Sequence, residues 1–270
     1  MTETEALVEE YADLIAEYRT WLRQFEDARA KKWENRLRAE DHTEAAICEA
    51  AVWLVLRKEG CEVDPAESLS AGGPDFMCRK GRIESYVEAA CITKPKATDE
   101  TGLSDFPQSR VEAGFYTLMT KGFFQKVTGK TRQCSSLGAP AIVAIATLHF
   151  NASARCFRRN AVAQLLTGKT CVTIPIGLDG GTIARQIHES TRLELAAFLR
   201  PSSDPLEAME HARSPVSALL LCGLGCNPPN VVGVLHPNPN HPLDRLLLPN
   251  IPFVRLVDGY KRGSMHTEWI

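Results

Sequence analysis

Apolar side chains recur every three or four positions at Leu7, Tyr11, Leu14, Ile15, Tyr18, Leu22 and Phe25, with charges between them. That spacing predicts an amphipathic helix over residues 3 to 40. The pattern fades after Phe25, so the helix reads as an arm packed on the core or on a partner, another copy included, rather than as a coiled-coil seam. Polar Asp41-His42-Thr43 then caps a run from Ala45 to Leu56 that is apolar all round except for Glu49, the mark of a buried helix. Glu59-Gly60 stops it, Cys61 to Val63 starts a sheet, and residues 66 to 73 form a loop. Lys80-Gly81 is a turn signal between two strand-like runs, 74 to 79 and 83 to 92, which predicts a hairpin. Residues 93 to 109 are polar and hold two prolines, so a loop or lid is expected there. Phe115 to Cys134 reads as helix with a break at Gly129, and Ala141 to Leu148 is an unbroken apolar strand of the kind a sheet covered on both faces demands. Further strands are expected at Thr170 to Ile176, Val216 to Cys222 and Val231 to Leu235, with a helix from Ile183 to Leu199. Strand, helix and strand in this order give an α/β fold with a mixed sheet and a crossover connection.

The hairpin carries the candidate chemistry. A two-residue turn at Lys80-Gly81 would set Asp75 opposite Tyr86, and the period of two would put Glu88 on the same face as both, about 7 Å from Asp75 on the diagonal. Two carboxylates that close repel unless a cation lies between them, and a divalent ion with oxygen ligands is the usual remedy. Val87, Ala89, Cys91, Phe76 and Cys78 form the apolar face, while Ala90 and Ile92 continue apolar on the carboxylate face. The competing reading is a pair of acids on a solvated sheet face. Glu49, alone in its apolar helix, would be costly to bury without a cation or hydrogen bonds, which makes it the third candidate carboxylate; otherwise it points out through an Ala-rich seam.

These residues resemble the PD-(D/E)XK nuclease superfamily, in the branch whose second motif reads Val-Glu-Ala-Thr or Val-Glu-Val-Thr. Pro74-Asp75 and Glu88-Ala89-Ala90 carry the likeness, which extends from Glu49 to about Pro252 through Lys130-Thr131-Arg132-Gln133-Cys134, Ala139 to Ile145 and His236-Pro237-Asn238-Pro239. The resemblance implies a restriction-endonuclease-like fold and Mg²⁺ or Mn²⁺ held by Asp75, Glu88 and the first-helix acid Glu49. It also implies a relocated lysine and a substrate-touching Gln on the helix after the hairpin, for which Lys130 and Gln133 fit the pattern. The family's usual lysine, two residues after the second acid, is Ala90 here. Lys94, Lys96 and Lys126 are further stand-ins for it. From the residues themselves, Lys126, Lys130 and Gln133 share one helix face if the helix persists, and a solvent-facing polar stripe is the alternative.

Charge sharpens the picture only locally. The net charge is −2, yet no Asp or Glu occurs from Ala113 to Leu178, where Lys121, Lys126, Lys130, Arg132, Arg155, Arg158, Arg159 and Lys169 all fall. With Lys94, the first seven of these are the expected nucleic-acid contacts, DNA before RNA; scattered surface pairing is the bland reading. Arg155-Cys156-Phe157-Arg158-Arg159 interleaves cations with an aromatic, as a nucleic-acid contact or simply as a helix start. The 9 cysteines include no Cys-x-x-Cys pair, and most lie in apolar runs as reduced, buried thiols. Cysteine usage and the acidic N-terminus point to a cytoplasmic protein, and no run of apolar residues is long enough to span a membrane. The proline-flanked His236 and His241 fit rigid turn chemistry better than metal binding. The expected organisation is an N-terminal helical arm over 1–40, a nuclease-like core over 41–180 and a C-terminal α/β extension over 181–270. The expected function is metal-dependent hydrolysis of phosphodiester bonds in DNA. The alternative is a nuclease-fold protein that binds nucleic acid, or assembles with partners, without turnover.

Overall fold

The computed structural model describes residues 2–69, 72–106, 126, 130, 134, 137–159, 161–162, 199–201, 209–211, 214–258 and 265–270. The predicted N-terminal helix is three helices: α1 (Glu3–Glu10), α2 (Ala12–Arg23) and α3 (Asp27–Arg38). Thr2 starts α1 with a reciprocal capping box to Glu5. The chain turns back between α2 and α3, so residues that one helix would have strung out instead meet. Tyr18, Trp21 and Trp33 close on Trp53 of α4 (Thr43–Lys58), with Tyr18 5.0 Å from Trp33 and 5.3 Å from Trp53, ring centre to ring centre. The apolar stripe of the arm is therefore covered by its own chain, apart from Phe25, which is exposed.

Helix α4 is buried almost all round, as its composition predicts. Three antiparallel strands follow: β1 (Glu62–Pro65), β2 (Phe76–Lys80) and β3 (Ile83–Cys91). The expected lid after them begins instead as helix α5 (Lys94–Thr101), with Pro95 in its first turn, where a missing N–H costs nothing, and Gly102 (φ 68°) closing it. Of the segment 115–134, the described residues Lys126, Lys130 and Cys134 are helical and one turn apart. Gln133, Lys121, Arg132 and Lys169, the strand expected at 170–176 and most of the helix expected at 183–199 lie outside the described residues.

Strand β4 (Ala141–Thr147) runs parallel to β3 and is buried at every position. Its odd and even residues divide between two cores. Ile142, Ala144 and Ala146 face the layer of α2, α3 and α4, whereas Ala141, Val143 and Ile145 face α5 and helix α6 (Phe150–Cys156). A small two-stranded sheet pairs β5 (Leu199–Pro201) with β6 (Met209–His211). Strands β7 (Ala218–Gly223), β8 (Asn230–Leu235), β9 (Phe253–Asp258) and β10 (Met265–Trp269) then complete one mixed sheet of 8 strands in the order β1-β2-β3-β4-β7-β8-β9-β10. The protein is thus α/β, with helices on both faces of a mixed sheet, and the chain after residue 217 continues that sheet. No helix among the described residues is long and apolar enough to cross a membrane.

Where β7 ends, Gly225 lies against the backbone of Leu148 and His149, and its N–H donates to Ser153 Oγ at 2.9 Å. A Cβ there would collide with main chain on β4's exit into α6. Gly225→Ala is therefore expected to cost about 2–3 kcal/mol, read as a lower urea midpoint with an unchanged slope. His236 serves its turn as expected, its Nδ1 accepting the Asn238 N–H at 3.0 Å.

Candidate active site

The site grows out of a mismatch in strand length. Lys80 pairs with Ile83, so Gly81-Arg82 occupy the centre of the hairpin turn, with Gly81 at φ 62°. This corrects the register expected from a Lys80-Gly81 turn: Tyr86 faces Met77, not Asp75, and the ladder ends at the Phe76–Val87 pair. Because β2 begins only at Phe76, β3 runs on past its partner from Glu88 to Cys91. The N–H groups of Tyr86 and Ile92 donate across to the β4 side, to Pro140 and Ala146 carbonyls at 2.9 and 2.8 Å. Alternate residues turn the other way, so the N–H and C=O of Ala89 face the fork where β2 has diverged. Asp75 fills that fork: its Oδ2 accepts the Ala89 N–H at 2.7 Å.

Asp75, Glu88 and Glu49 all line one cleft, together with Lys130, Lys32, Arg36 and Glu67. Burial raises the pKa of Asp75 well above the ordinary carboxylate range, and the charges of Glu49 and Glu88 push the same way. Burial also raises that of Glu88, which is 2% exposed, and the Lys130 ammonium that pairs with its Oε1 only partly offsets this. The other oxygen, Glu88 Oε2, is buried with no hydrogen-bond partner among the described residues. Such an atom is expensive to leave unsatisfied, and a cation is what a buried carboxylate oxygen beside a second acid would take.

Glu49 is differently placed. Its Oε1 accepts the Tyr18 hydroxyl at 2.8 Å and its Oε2 accepts Arg36 Nη1 at 2.6 Å. Both donors come from the N-terminal helices, to which sequence reasoning attached no chemistry. Tyr18 sits on the apolar stripe, and a buried Tyr must find its hydroxyl a partner; that was the available signal. Among the described residues no three His, Cys, Asp or Glu side chains are grouped so as to hold a metal ion together. Asp75 and Glu88 share the cleft, whereas Glu49 is already engaged by Tyr18 and Arg36.

The remaining expected residues are dispersed. Lys130 joins the cleft, with Lys126 one helical turn away and half-buried. Lys94 instead pairs with Asp105 at 3.0 Å, while Asp105 accepts the Phe150 N–H at 2.6 Å, so this lysine ties α5 to the start of α6. Lys96 pairs with Glu100 along α5 at 3.2 Å. Arg155 belongs to α6, and Arg158 and Arg159 follow it on the surface, with Arg159 stacked 4.5 Å from the ring centre of Trp269. None of Lys94, Arg155, Arg158 and Arg159 lines the carboxylate cleft. No family model, no curated protein and no solved structure matches this chain.

Proposed function

We propose that the protein is a metal-dependent phosphodiesterase of restriction-endonuclease-like fold that cleaves DNA. The observation that carries this reading is the cleft that Asp75 and Glu88 line together at the forked hairpin, with Glu88 Oε2 buried and unpartnered among the described residues. The order of elements supports it: an acid on the first core helix, acids just before and within the hairpin, a helical Lys130 after α5, and then the parallel strand β4. A Mg²⁺ or Mn²⁺ ion held there would lower the pKa of a bound water and neutralise charge building on the phosphate. Asp75 and Glu88 supply the anionic oxygens, and the fork leaves the Ala89 carbonyl facing the same space. Lys130 takes the part that Ala90 cannot, pairing with Glu88 and offering a cation to the phosphate oxygens. Glu49, Tyr18 and Arg36 hold the opposite wall in place.

A second reading, nucleic-acid binding without turnover, is favoured by the Lys130–Glu88 pair, because an ammonium already partners one of the two metal-facing acids. Incubating purified protein with supercoiled plasmid and single-stranded DNA, with Mg²⁺, with Mn²⁺ and with chelator, separates the two. Nicking that requires the metal is the expected result. Salt-sensitive binding with no product under any metal would replace the first reading by the second.

A further inference from the structure

Helix α3 carries Arg29, Lys32 and Arg36 at spacings of three and four, so all three project from one face. The face is about 10 Å long at 1.5 Å per residue. All three side chains line the hollow that leads past Leu69 and Pro65 to Asp75, and Lys32 and Arg36 line the carboxylate cleft as well. Every partner they have there is an oxygen. Arg29 donates to the Glu67 carbonyl, Lys32 lies 2.9 Å from a Glu67 carboxylate oxygen, and Arg36 holds Glu49. Four carboxylates, Glu49, Glu67, Asp75 and Glu88, border this cleft. A polyanion could not approach them without cations at the rim.

We propose that this edge of α3 is the seat for the sugar-phosphate backbone of a nucleic-acid strand entering the cleft, and that the Glu67 carboxylate occupies one phosphate's place until the strand displaces it. The proposal rests on the nucleic-acid reading above and names the surface that reading lacked. Successive phosphates of one strand wind around the axis and stand farther apart than their axial rise of about 3.4 Å, so an edge of about 10 Å meets two neighbouring phosphates. The Lys32–Glu67 pair is easily exchanged: its side chains are 43% and 33% exposed, and solvent-facing pairs contribute little. A phosphate offers Lys32 the same charge-assisted contact that Glu67 now makes, with further donors from Arg29 and Arg36 beside it.

The test uses full-length protein carrying Asp75→Asn, in chelator, titrated against a fluorescein-labelled DNA duplex at several KCl concentrations and followed by anisotropy. Lys32→Gln is expected to weaken binding about threefold to tenfold at low salt and to flatten the plot of log affinity against log salt by about 0.9. Glu67→Gln is expected to tighten binding, since it removes the competitor and a repelling charge. Thermal melts of both variants show that each is folded, and the opposite signs separate phosphate seating from general damage. An RNA duplex responding in the same way supports the proposal, because the recognised group is the backbone. Unchanged affinity and slope in Lys32→Gln, weaker binding in Glu67→Gln, or no binding by the parent at low salt would each overturn it. Loss of the cleavage reading alone appears differently, as variant-sensitive binding with no metal-dependent nicking in the wild type.

Discussion

Asp75→Asn is expected to abolish metal-dependent DNA cleavage while making the metal-free protein more stable. The amide keeps an oxygen to accept the Ala89 N–H, so the fork is preserved, but a charged ligand is lost. A drop of about a thousandfold in turnover, the equivalent of about 4 kcal/mol in the barrier, is the anticipated size. Stability moves the other way because burial, then Glu49 and Glu88, raise the folded-state pKa of Asp75 above its unfolded value. The folded protein then holds that proton more tightly than the unfolded chain does. The contribution of this group to stability is complete below the ordinary carboxylate range and falls as pH rises through the raised folded value. In chelator, melting temperature should therefore decline across that window in the wild type and stay flatter in Asp75→Asn. Near neutral pH the variant should melt higher by a few degrees, about 1 kcal/mol. Adding Mg²⁺ should stabilise the wild type and leave the variant unmoved. Nicking that survives in Asp75→Asn would remove Asp75 from the mechanism.

Lys130→Met should damage both stability and activity, with a pH signature that tells the two apart. It removes the ammonium from Glu88 and leaves a carboxylate that is 2% exposed with neither oxygen paired by that lysine. Stranding a buried charge costs about 3 kcal/mol. Without Lys130 the folded-state pKa of Glu88 rises further, so the penalty should grow with pH and shrink on acidification, as protonation of Glu88 relieves it. Cleavage measured at temperatures where the variant is folded should still fall about a hundredfold, because no other described lysine lines the cleft except Lys32 on its far rim. Lys130→Arg, which keeps the charge, should recover most of the stability. A Lys130→Met protein with unaltered melting at neutral pH would show that the pair contributes nothing to the fold.

Helix α4 and strand β4 were legible residue by residue, because a segment apolar on all sides has one fate in a covered sheet, whatever surrounds it. Glu49 stood out for the same reason: a lone acid in such a helix demands a partner. The partner was not legible. Tyr18 and Arg36 reach Glu49 across 31 and 13 residues, from α2 and α3, which the expected single helix does not separate by a turn. The same turn creates the cationic edge of α3, since only after it do Arg29, Lys32 and Arg36 overhang the cleft. The strands β9 and β10 gave no recognisable signal, being edge-ward and only partly alternating.

What the sequence determined by itself was the alternation in β3 and the presence of acids at 75 and 88, because side-chain facing follows from a local period of two. Which residues stand opposite one another was decided by Gly81, whose positive φ moves the centre of the turn by one residue and every cross-strand pair with it. Packing decided the rest. The late start of β2 opens the fork, the folded-back helices supply the donors for Glu49, and burial raises the two carboxylate pKa values, all of which depend on contacts between segments far apart in the chain.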